Sequence, residues 1–136
     1  MTPPDQYLYE YSVIRYVPRV DREEFINIGL LMLCKRQKWL KGEVVLNTER
    51  LRAFDPRLNI ETLQQQLAFF KRQDVPDPQL PVEEKYRWLA SVKSAVIQTS
   101  PSHPGYIKIN DAPLENQGFV NALEREFTRL LKLLVL

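Results

Sequence analysis

The sequence predicts an α+β fold: a mainly antiparallel sheet of about four strands, helices packed on one face, and a long C-terminal helix completing the core. Three observations carry this expectation. Tyr7 to Val17 and Ile28 to Cys34 are dense in aromatic, β-branched and aliphatic residues and have strand length. The polar stretch Lys35 to Lys38 then turns the chain into a second strand, Trp39 to Leu46, which makes the clearest hairpin in the sequence. Further on, apolar residues recur at helical spacing, at Ile60, Leu63, Leu67 and Phe70 and again at Phe119, Leu123, Phe127, Leu130 and Leu134.

The elements follow in order. Residues 1–6 form a lead-in. In the first strand alternation sets Tyr9, Tyr11, Val13, Arg15 and Val17 on one face and Leu8, Ser12, Ile14 and Tyr16 on the other. Both faces carry apolar bulk, so the strand belongs inside the sheet or under cover on both sides, and Pro18 ends it. Asp21 to Phe25 is one helical turn, with Asp21 as cap, or a wide loop. Ile28 to Cys34 suits a central strand, and Gly42 marks a bulge in its partner. Thr48 to Ala53 is a short helical turn, and Asn59 caps a helix from Ile60 to about Gln73. Val75 to Val82 carries three prolines and must be extended. Glu83 to Val92 is helical, turning Tyr86, Leu89 and Ala90 inward. Ser94 to Thr99 is a strand, Ser102 to Gly105 a Pro/Gly turn, and Tyr106 to Ile109 short and extended. Leu114 to Leu134 is the last helix, with Glu124, Arg125, Arg129 and Lys132 on its polar side.

A chain of 136 residues reads as one domain, 1–136, since domains commonly run to about 100–200 residues. The formal net charge of +2 is too small to imply nucleic acid, and the local basic groups Lys35, Arg36, Lys38, Lys41 and Arg50, Arg52, Arg57 read as solvated turns. The single cysteine, Cys34, excludes an internal disulfide and a cysteine-based zinc site. The only histidine, His103, has no carboxylate pair at ligand spacing, so no metal site is expected, and no cofactor is implied. The first residues lack the basic-then-apolar pattern of a signal peptide, and no apolar run approaches the ~18 residues that a membrane span needs. A cytoplasmic protein is the expectation.

The densest polar chemistry lies in Tyr11 to Lys35, where Arg15, Arg19, Arg22, Glu23, Glu24 and Asn27 stand beside two strands. Arg15 sits among apolar neighbours, where an unpaired charge costs several kcal/mol. It either binds an anion or carboxylate with its planar fork, or forms a structural ion pair with Glu23 or Glu24 or sits at the sheet edge. Glu24 and Asn27 at a strand entrance either position a ligand or satisfy the loop, with Gly29 allowing close packing or a bulge. Ser100 and His103 hold the elements of a nucleophile–base pair, but two prolines mark a rigid turn and no nucleophile elbow is present. The C-terminal LLKLLVL carries more apolar residues than one helix face needs, which suits core packing together with a homodimer or partner interface.

YSVIRYVPRVDREEFINIGLLMLC, with its RYVP strand, acidic-Phe step and Asn-x-Gly, resembles the opening of the bacterial domain-of-unknown-function family 3037. RLRAFDP (Arg50 to Pro56), YRWL (Tyr86 to Leu89) and AVIQTSPSHPG (Ala95 to Gly105) continue the resemblance in order along nearly the whole chain. The resemblance implies a small cytoplasmic protein encoded beside kinase-like proteins of the HipA kind, which suggests a two-component or toxin–antitoxin-like setting. The expected function is therefore a non-enzymatic interaction partner or regulator with a site at Arg15, Glu24 and Asn27. The alternatives are a hydrolase or nucleotide-acting enzyme that adds Ser100 and His103, and a nucleic-acid-binding module.

Overall fold

A computed structural model describes residues 6–91, 94–108 and 116–136, with the side chains of residues 20 and 116–120 set apart. Among these residues five strands and four α-helices follow in the order β1 (Gln6–Arg19), β2 (Glu24–Cys34), β3 (Trp39–Val44), α1 (Thr48–Phe54), α2 (Ile60–Arg72), α3 (Val82–Ala90), β4 (Ile97–Thr99), β5 (His103–Lys108) and α4 (Asn116–Leu134). The sheet is antiparallel, with β3, β2 and β1 side by side and β4 and β5 sharing the far edge of β1. The fold is α+β, as the sequence predicts.

The two faces of this sheet are both covered. On one, Tyr7, Tyr9, Leu30, Met32, Cys34 and Ile107 meet Leu123, Phe127 and Leu130 of α4. On the other, Ile14, Tyr16, Ile26 and Ile28 pack on Leu51, Leu63, Leu67 and Phe70 of α1 and α2. Leu31 and Leu33 meet Tyr86 and Leu89 of α3 on that same side. Double cover explains why Ile28 to Cys34 is apolar without alternation.

One irregularity decides where the polar residues go. Ile14 pairs with Gly29 and Arg15 with Asn27, so Ile28 is an extra residue bulged out of the ladder. Strict alternation from Leu30 would point Ile28 and Ile26 at α4 and Asn27 at α1. The bulge reverses this: the two isoleucines join the α1–α2 core, while Asn27 and Phe25 come onto the α4 side beside Arg15.

Several boundaries move from the sequence expectation for physical reasons. β1 runs past Pro18, which lies at a second register shift between Tyr16 and Arg19, where a missing N–H costs no ladder bond. Its connection to β2 is a 3-10 turn, Val20–Arg22, followed by Glu23 in left-handed conformation. β2 therefore starts at Glu24, four residues before its apolar run. Gly42 is not a bulge; it is paired in register with Leu31, and a Cβ there would meet the Phe70 carbonyl oxygen at 2.4 Å, so its role is to let α2 lie close on β3. Asn47 and Asn59 cap α1 and α2, accepting from the amides of Arg50 and Thr62. The strand expected from Ser94 shortens to Ile97–Thr99, and the Pro/Gly segment expected as a turn is the first half of β5. The expected start of the last helix at Leu114, and the packing of Phe119, fall outside the described residues and side chains.

Candidate functional site

Arg15 and Asn27 stand directly opposite each other on β1 and β2, and Gln98 stands opposite Arg15 on β4. Together they form a polar row across three strands. Cross-strand neighbours on one face have their Cβ atoms about 5 Å apart, so this row is one surface. The Arg15 guanidinium carbon lies 4.1 Å from the centre of the Phe25 ring, and Phe25 is 45% exposed. Gln98 is occupied with the Ala95 carbonyl at 2.8 Å.

The end of α4 reaches this row. Asn27 Nδ2 donates to the Leu134 carbonyl at 3.0 Å, and Arg50 Nη1 donates to the Val135 carbonyl at 3.0 Å. The last carbonyls of a helix have no intrahelical donor, so these two side chains hold the terminus onto β2 and α1. Asn27, Arg50 and Leu136 border one small cleft of about 160 Å³. Leu133 and Leu136 remain 68% and 66% exposed, whereas Val135 is buried.

Arg15 Nε and Asn27 Oδ1 are buried with no protein hydrogen-bond partner among the described residues. The alternative of a structural ion pair for Arg15 is not what the side chains adopt. Glu24 pairs with Arg22 at 2.8 Å, and among the described residues no carboxylate pairs with Arg15. Glu24 also lies on the wrong side: alternation from Ile26 turns it toward α1, where it borders a cleft with Pro18, Phe54 and Asp55.

Ser100 and His103 are placed by the edge of β1. The Ser100 amide donates to the Val13 carbonyl at 2.8 Å, and its hydroxyl accepts from the Val13 amide at 2.8 Å and donates to the Pro101 carbonyl at 3.0 Å. The hydroxyl thus stands in for a ladder carbonyl where the chain bulges around Pro101. His103 pairs with Tyr11, and the two rings lie 5.4 Å apart. Arg15 and Asn27 are brought together; Glu24, Ser100 and His103 each have a separate setting.

A second polar cluster escaped sequence reasoning. The Tyr86 hydroxyl lies between Ser12 Oγ at 2.7 Å and Ser102 Oγ at 2.8 Å, at the base of a cleft of about 420 Å³ bordered also by Leu8, Glu10, Lys35 and Arg87. Burial pushes the Tyr86 phenol up from its ordinary value, so the cluster is a neutral hydrogen-bond chain. Ser12 beside Ile14 and Tyr16 on one strand face was the one sequence signal for it. Gln98 had none, because the strand pairing that sets it opposite Arg15 is distant in sequence, and Arg50 stood out only as a basic group, since the carbonyl it holds lies 85 residues on.

The two basic groups do not merge into one patch. Lys35, Arg36 and Lys38 lie at the β2–β3 turn, whereas Arg50, Arg52 and Arg57 follow the other end of that ladder, roughly 17 Å away at about 3.3 Å per residue. Cys34 is buried, and burial raises its thiol pKa, so it is no nucleophile. Among the described residues no cluster of His, Cys, Asp and Glu has the makings of a metal site, and no helix is long and apolar enough to cross a membrane.

No curated protein and no solved structure matches the chain. A family model does, over residues 11–135, from the middle of β1 to the residue after α4, and so across both the bulge and the held helix end. The chain belongs to the family described as Protein of unknown function (DUF3037).

Proposed function

We propose that this protein is a non-enzymatic interaction module that binds a partner protein through the surface made by Arg15, Phe25 and Asn27. A single observation carries this reading: the guanidinium of a half-buried arginine rests on an exposed phenylalanine ring, with no carboxylate paired to it among the described residues. Arginine and aromatic residues dominate the energetics of protein interfaces, and a half-desolvated cation without a counter-ion costs folding energy that a partner can recover. The separation of Glu24, Ser100 and His103 from this surface supports a binding role over a catalytic one, because general acid–base or nucleophilic chemistry needs its groups within hydrogen-bond reach. The partner class is a kinase-like protein of the HipA kind, the association that the family resemblance implies. The protein then acts as its regulator.

Calorimetric titration of the chain into such a purified kinase tests this. Phe25→Ala is expected to weaken binding by about 2 kcal/mol, the usual cost of losing an interface anchor. Unchanged affinity would remove Phe25 from the interface, and absence of binding by the unaltered chain would overturn the reading.

Leu133 and Leu136 favour a second reading, a homodimer through the end of α4. Sedimentation velocity separates the two. Self-association that Leu133→Ser abolishes supports the dimer, while a monomer across the concentration range leaves these leucines to the heteromeric interface.

A further inference from the structure

Resting on the interaction-module reading, we infer that the group a partner brings to Arg15 is a carboxylate. Among the described residues five arginines hold a carboxylate of a near neighbour in sequence: Arg19 with Asp21, Arg22 with Glu24, Arg72 with Asp74, Arg87 with Glu84 and Arg129 with Glu126. All five are largely exposed, where a counter-ion contributes least. Arg15 is half-buried, where a counter-ion contributes most, and has none among the described residues.

The shape of the site narrows the ligand. The guanidinium carbon lies over the Phe25 ring, 4.1 Å from its centre, and Nε is buried. With Nε buried, the end-on edge formed by Nη1 and Nη2 is the one we assign to the ligand, two parallel donors that match the two oxygens of a carboxylate. Neighbouring charge sets the valence. Asn27 and Gln98 are neutral, and Arg50 is committed to the Val135 carbonyl. One positive charge balances a carboxylate, whereas a phosphate dianion would need a second cation that this row does not supply. The Phe25 ring extends the site with an apolar floor, which suits a peptide carrying the carboxylate better than a free acid.

The test follows the Nε–H resonance of Arg15 and the ring resonances of Phe25 in the full chain by NMR, with sodium acetate against sodium chloride at equal ionic strength. Two short N-acetylated peptides then separate the sources: one with a glutamate side chain and an amidated end, one with uncharged side chains and a free C-terminal carboxylate. Saturable shifts with acetate but not chloride, and tighter saturation by one peptide, are expected. Arg15→Lys, read on the Phe25 ring, should weaken them about tenfold, because a lysine keeps the charge but loses the fork. Equal response to chloride and acetate, or full retention in Arg15→Lys, would overturn the inference. Kinase binding that Phe25→Ala abolishes, in a protein whose Arg15 ignores carboxylates, would overturn the carboxylate and leave the interaction module standing. Carboxylate saturation without kinase binding would uphold the carboxylate and remove the module.

Discussion

Replacing Arg15 by methionine separates a residue kept for binding from one kept for folding. Methionine is unbranched, has similar reach and carries no charge, so it retains the contact with Phe25 and removes the buried Nε. A buried donor without a partner costs about 1–3 kcal/mol. Against this, the cation–π contact with a ring that is 45% exposed contributes only about 0.5–1 kcal/mol. The difference favours the variant by roughly 1 kcal/mol. Equilibrium unfolding in urea, followed by circular dichroism, reads this as a higher midpoint at unchanged slope. A loss exceeding about 1 kcal/mol would refute the reasoning, because it would show the guanidinium stabilising the fold through a bond to the protein.

Three other outcomes follow from the structure. Ser100→Ala leaves the buried Val13 amide without its acceptor and should destabilise by about 1–3 kcal/mol, measured by the same unfolding experiment; a loss below about 0.5 kcal/mol would show that the hydroxyl does not complete the ladder. Gly42→Ala forces a Cβ against the Phe70 carbonyl and should cost about 1–3 kcal/mol or more, read as a lowered thermal midpoint, while an unchanged midpoint would mean that α2 does not pack this closely on β3. The contact of Tyr9 with Glu126, which Arg129 also holds, sets a pH window. The Arg129 guanidinium keeps the Glu126 carboxyl below its usual range, so its contribution is present above the ordinary carboxylate pKa of about 4.3 and lost as pH falls through the lower folded value. Burial and the Glu126 carboxylate raise the Tyr9 phenol, so its contribution is full below about 10 and lost as pH rises through the higher folded value. Glu126→Gln should flatten the acid limb of a stability–pH profile, and an unaltered limb would assign acid sensitivity to other carboxylates.

What the sequence revealed depended on whether the determinant was local. Asn59 accepts from an amide three residues on, and the Lys35–Lys38 turn joins adjacent strands, so both were legible. The Ile28 bulge was not, because an unbroken apolar run from Ile28 to Cys34 fits either face of a sheet covered on both sides. The face on which Asn27 and Phe25 emerge was therefore hidden, and Glu24 was grouped with Asn27 although the strand turns it the other way. Ser100 looked chemical for a similar reason. Its hydroxyl completes a ladder with Val13, a partner 87 residues away, and no local spacing encodes that. Arg15 could be singled out from the sequence because a cation within an apolar strand is anomalous wherever the strand lies.

The most direct test is the affinity of Arg15→Met for the proposed kinase-like partner, measured on the preparation whose unfolding curve shows it at least as stable as the unaltered chain. Loss of roughly 2 kcal/mol in binding together with gained stability is the predicted result, the mark of an arginine retained for a partner at the fold's expense. Undiminished affinity in that folded variant would contradict it.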